Sequence, residues 1–160
     1  MSLSILGIFH TVFGIGALVA VAILLWQDKE INAQRGLAKF YLAVTVLTAA
    51  SALGIYRHGG FNAAHGLGVL TILAVVAGLV ASRLSFLGEL QKYIVALCFS
   101  GTVLFHLLPT ATEILTRFPM DAPLAASIKD PLIEKTFGVI LVVFVIGLGL
   151  QMNWLRGQAR

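Results

Sequence analysis

Four residues of this chain are suited to chemistry by type and placement: His10, His58, His65 and His106. Imidazole titrates near neutrality, ligates transition metals and serves as an axial ligand to haem iron. Each of the four lies in or beside a long apolar run. An ionisable side chain at such a place is costly and marks a functional site by default. Pairs drawn from His10, His65 and His106 suit a b-type haem, with Phe9, Phe13, Phe61 and Phe105 packing on the macrocycle. The same three imidazoles with the Glu113 carboxylate suit a single transition metal such as Zn or Fe, with an open position for an activated water. His106 with Glu113 suits proton movement. A fourth reading has no cofactor and makes the chain an accessory or assembly subunit of a larger membrane complex. No H-E-x-x-H, C-x-x-C or C-x-x-C-H spacing is present to select among them. A metal cofactor is the leading expectation, haem b ahead of a non-haem site, with a quinone or a larger membrane complex as partner. The reaction is not fixed.

The sharpest pattern surrounds His106. Successive helical residues turn by about 100°, so Thr102, Thr110, Glu113 and Arg117 all fall within about 40° of His106. Pro109 removes one backbone hydrogen bond and disturbs the carbonyl of Phe105, which then needs a partner such as Thr110, water or a ligand. If the stripe converges on a site, Glu113 and Arg117 are its candidate catalytic groups. Alternatively, Glu113 and Arg117 pair at i,i+4 near an interface, the threonines bond back to their own helix, and His106 is a lone polar contact. Facing groups are available elsewhere. His10, Gly14 and Ala17 share a face, as do Ser51, Gly54 and His58. Asn62 is a natural N-cap for a helix carrying His65, Gly66 and Gly68. His58, in Tyr56-Arg57-His58-Gly59-Gly60, also reads as a solvated loop residue.

Elements that place such residues must be membrane helices. Hydrophobic residues make up 59% of the chain and charged ones 11%, and the mean hydropathy is +0.96. A soluble domain carries about 25% charged residues. Five apolar runs, about 3–26, 36–57, 61–84, 89–118 and 132–155, are long enough to span a bilayer, which takes about 20 residues per helix. They are continuous rather than alternating, which selects helices over a β-barrel. The expectation is an all-α polytopic membrane protein, one domain over residues 1–160, with five transmembrane helices in a bundle. Ala20-Val21-Ala22 resembles a signal-peptide cleavage site, but Met1–Phe9 holds no Lys or Arg, so the first run reads as retained.

Basic residues set the orientation. With the amino terminus outside, Lys29, Arg35, Lys39, Arg83, Lys92, Arg156 and Arg160 lie inside, and only Arg57, Arg117, Lys129 and Lys135 outside. The carboxyl terminus is then inside and all four histidines lie in the outer half. These loops also account for the pI of 9.6. No clustered basic patch with interleaved aromatics exists, so nucleic acid is not a partner. Cys98 is the single cysteine, which excludes an intramolecular disulfide. Neither a glycine-rich phosphate loop nor a nucleophile elbow occurs. Trp26 and Trp154 suit inner interfacial anchors. The connection 118–131 either covers the histidine site or simply joins two spans.

The stretch around His10, with Gln34-Arg35-Gly36, Tyr41, Phe105-His106-Leu107-Leu108-Pro109-Thr110, Thr112-Glu113 and Thr116-Arg117, resembles an uncharacterised group of bacterial multispan membrane proteins that carry a domain of unknown function. The likeness covers most of the chain. It implies a bacterial inner-membrane location and no particular activity.

Overall fold

The structure is a computed structural model that describes residues 4–56 and 60–158. Five α-helices follow one another: α1 (Ile5–Asp28), α2 (Gly36–Ala52), α3 (Ala63–Ala81), α4 (Leu90–Arg117) and α5 (Pro131–Arg156), with a 3-10 turn at Ser85–Leu87. Among the described residues there is no strand. α1, α3, α4 and α5 are long and apolar enough to cross a membrane. α2 is equally apolar in character but has 17 residues, about 25 Å of helix.

Local chemistry sets the helix ends. Ser4 Oγ accepts the Gly7 N–H at the start of α1, and Lys29 closes that helix in the left-handed conformation, φ 59°. α2 stops five residues before the expected end at 57, because Leu53, Gly54 and Ile55 donate to Ala50, Ser51 and Ala52 in tight i to i+3 bonds that unwind its last turn. Asn62 caps α3, accepting from Ala64 N–H at 3.0 Å, so that helix begins two residues later than expected. It ends at Ala81, before the 3-10 turn and Gly88 at φ 52°. Asp130 and Pro131 start α5, with Asp130 accepting the Leu132 N–H at 2.9 Å.

Each helix packs on the next in the chain, and α1 also meets α4. Small residues permit close approach. Ala17, Ala20, Ala38 and Tyr41 are fully or almost fully buried between α1 and α2, alongside Val21, Leu24 and Leu42. Phe99 of α4 is wholly buried against α3, where a Cβ on Gly78 would stand 2.4 Å from its ring. Gly68 brings α3 onto the Ala49 carbonyl of α2. α5 leans on α4 and buries only Ile133, Gln151 and Leu155. Its middle exposes Val139, Val142, Val143, Ile146 and Leu150, as α1 exposes Ile8, Val12, Ile15 and Val19. Apolar patches of this extent do not occur on ordinary soluble monomers; hydrocarbon is the solvent that suits them.

Candidate functional site

The site is built on α2. Tyr41, Thr45, Thr48 and Ser51 recur at spacings of four, three and three, which puts them on one face of that helix. Tyr41, Thr45 and Thr48 are buried. α1 lays His10 against the carboxyl-terminal end of this face, and α4 lays His106 and Thr102 against its middle.

Donor and acceptor counting fixes the proton positions. His10 Nδ1 is 3.0 Å from the Thr48 carbonyl and 3.1 Å from Ser51 Oγ. A carbonyl only accepts, so Nδ1 carries the hydrogen. Ser51 in turn donates to the same Thr48 carbonyl at 2.8 Å. A neutral His10 therefore has a bare Nε2. Thr102 donates its single hydroxyl hydrogen to Phe99 O at 2.6 Å. The Tyr41 hydroxyl, 2.6 Å from Thr102 Oγ1, must then be the donor of that pair. Thr45 Oγ1 lies 3.1 Å from His106 Nε2. Tyr41 and Thr102 thus form a directed pair that ends on the Phe99 carbonyl, and His106 meets Thr45 beside it.

The expected stripe on α4 divides. Thr102 and His106 point inward and are buried. Glu113 and Arg117 pair with each other at 2.6 Å, their side chains 59% and 41% exposed, and Glu113 does not join the imidazoles. Thr110 donates to His106 O at 2.7 Å, not to the carbonyl of Phe105, and Thr112 and Thr116 likewise bond back to their own helix. α4 continues through Pro109.

His65 occupies a different place. It is the third residue of α3, and its Nδ1 accepts the Asn62 N–H at 3.2 Å while Asn62 caps the same turn, a capping box in which imidazole stands where Glu or Gln is usual. Its ring lies 4.8 Å from that of Tyr56 and 5.3 Å from that of Phe61. His58 lies outside the described residues. The 118–131 connection bonds to the end of α4, through Ala125 N–H to Leu115 O and Leu124 N–H to Phe118 O, and within itself.

Among the described residues no group of three or more His, Cys, Asp and Glu is placed to hold a metal. The fit to a bis-histidine haem is also poor. His10 is set up as metal-binding histidines are, with Nδ1–H on a carbonyl and Nε2 free. His106 Nε2 is taken by Thr45, and His65 Nε2 carries the proton because Nδ1 is an acceptor.

The α2 face went unpredicted, although Tyr41, Thr45, Thr48 and Ser51 at helical spacing inside an apolar run were the signal for it. A second polar contact lies toward the other end. Ser100 donates to Gln151 Oε1 at 2.7 Å, and Gln151 Nε2 donates to Lys29 O at 2.8 Å. No family model, no curated protein and no solved structure matches this chain.

Proposed function

We propose that this is a five-span protein of the bacterial inner membrane, amino terminus outside, whose helix bundle loads and releases a proton at the His10–His106 pair in its outer half. The observation that carries the reading is that two histidines, from α1 and α4, hydrogen-bond one face of α2 a single turn apart, at Thr48 and Thr45. Five apolar helices and the excess of Lys and Arg on one set of loops support the topology. The tilt and length range of membrane helices accommodates α2 as the shortest span.

The hydroxyl pair beside the site ends on the Phe99 carbonyl, which is no proton acceptor near neutral pH. In this reading a proton reaches His106 from the side of His10 and leaves the same way. Two imidazolium charges on helices that meet the same face of α2 would repel in a poorly screened interior, so the proposed pair holds one proton at a time. Thr45 Oγ1 positions His106 through Nε2. A site closed on one side in this way suits a proton-coupled transporter with alternating exposure rather than an open proton channel. The test is ring-nitrogen NMR of histidine-labelled protein in nanodiscs across pH 5–8. We expect His10 and His106 to titrate in coupled steps, with His10→Asn moving the midpoint of His106. Two rings that stay neutral throughout, or titrate without coupling, would refute it.

The metal reading retains one supporting observation, the carbonyl-oriented Nδ1 of His10. Its bare Nε2 would be the ligating atom for haem b or a single transition metal, and His106 would have to contribute Nδ1 or release Thr45. An optical spectrum and elemental analysis of purified protein decide it: a Soret band or stoichiometric metal lost in His10→Ala supports it, and neither signal in the wild type ends it.

A further inference from the structure

Among the described residues, the buried Nε2 of His65 meets no acceptor. The residue is 1% exposed, and its Nε2 has no hydrogen-bond partner among the described residues. Because the Asn62 N–H must be the donor to Nδ1, the neutral ring carries its hydrogen on Nε2. Buried polar groups in native proteins are satisfied with few exceptions, and an exception calls for a ligand, a water or a functional cause. Both aromatic rings packed against His65 are exposed, Tyr56 at 60% and Phe61 at 71%. An unpartnered imidazole N–H packed against two exposed aromatic rings, at the amino-terminal end of a membrane helix, suits a flat lipid-soluble molecule that carries a carbonyl.

We infer that His65 Nε2–H, with Tyr56 and Phe61, binds the ring carbonyl of a quinone-class molecule entering from the bilayer. The inference rests on the membrane placement of α3 and is independent of proton loading at His10 and His106. Two flanking rings favour a planar quinone over a phospholipid ester, which offers a carbonyl but no ring to stack. Binding alone is inferred, with no redox step.

The experiment uses full-length protein with labelled histidine in nanodiscs of ether-linked lipid, which lacks ester carbonyls, titrated with decylubiquinone. The His65 Nε2–H resonance should move downfield and its exchange with water should slow as quinone is added. His65→Phe should weaken quinone binding at least about tenfold, near the effect of 1.4 kcal/mol. His65→Gln keeps an acceptor for the Asn62 N–H, as in an ordinary capping box, and removes the ring donor, so it controls for loss of the α3 cap. An unmoved His65 resonance at saturating quinone overturns the inference whether or not the variants fold. So does a shift that appears without quinone when ester lipid replaces ether lipid, since the acceptor would then be the lipid. Failure here leaves the coupled titration of His10 and His106 untouched, which keeps the two proposals separable.

Discussion

At the scale of single residues, the hydroxyl pair is held together by one constraint: each Ser, Thr or Tyr hydroxyl has one hydrogen to give. Committing Thr102 to the Phe99 carbonyl fixes Tyr41 as the donor to Thr102. Thr102→Val should therefore strand the Tyr41 hydroxyl in a buried place, at a cost of about 1–3 kcal/mol. Adding Tyr41→Phe should recover part of that loss, with a coupling of roughly 0.5–2 kcal/mol, measured as a double-mutant cycle in detergent unfolding. A coupling of zero would mean that the 2.6 Å contact contributes nothing to stability. The histidines were legible as candidates because imidazoles are rare in apolar runs. Their ranking was not, because which nitrogen is free depends on neighbours in other helices. His65 in particular followed the local rule for an N-cap turn, with Asn62 before it, a role that stands apart from any shared site.

At the scale of elements, helix packing depends on a few glycines and the helix ends on a few caps. Gly78→Ala would drive a methyl into the Phe99 ring, and overpacking of this kind costs about 1–3 kcal/mol. At Gly16 the space an added methyl would occupy is open, with nothing within 4 Å, so Gly16→Ala should be neutral or slightly stabilising through helix propensity. Opposite signs in the same unfolding assay are the expected outcome. The cap of α5 gives a pH prediction. The Leu132 N–H and then the Ala126 N–H hold the Asp130 carboxyl below the ordinary aspartate range. A carboxyl depressed by folding stabilises the native state fully above its unfolded value, about 3.9, and loses that contribution as pH falls through the folded value. Thermal melting should thus decline on acidification below about pH 4, and less steeply in Asp130→Ser, which keeps a capping oxygen that does not titrate. Equal slopes would show that the cap is not the source.

At the scale of the whole molecule, α1 to α4 form the packed part and α5 stands against α4 with its middle exposed. Topology is tested directly. In a Cys98→Ala background, a cysteine at Lys129 should react with an impermeant maleimide on intact cells and one at Lys29 should not; the reverse would invert the orientation and place the histidines toward the cytoplasm. The helical class, the five apolar segments and the candidate histidines were readable along the chain because hydropathy and residue type are properties of short windows. The end of α2 was less so, since the bonds of Leu53, Gly54 and Ile55 are local but leave no hydrophobic mark. Only the tertiary arrangement decided which polar groups meet. Glu113 and Arg117 pair with each other at an exposed part of α4, while α1 and α4, meeting one face of α2, join His10 and His106 to Thr48 and Thr45. Contacts 38 and 61 residues apart in sequence depend on how helices rotate and slide against one another, and no window of the sequence contains that information.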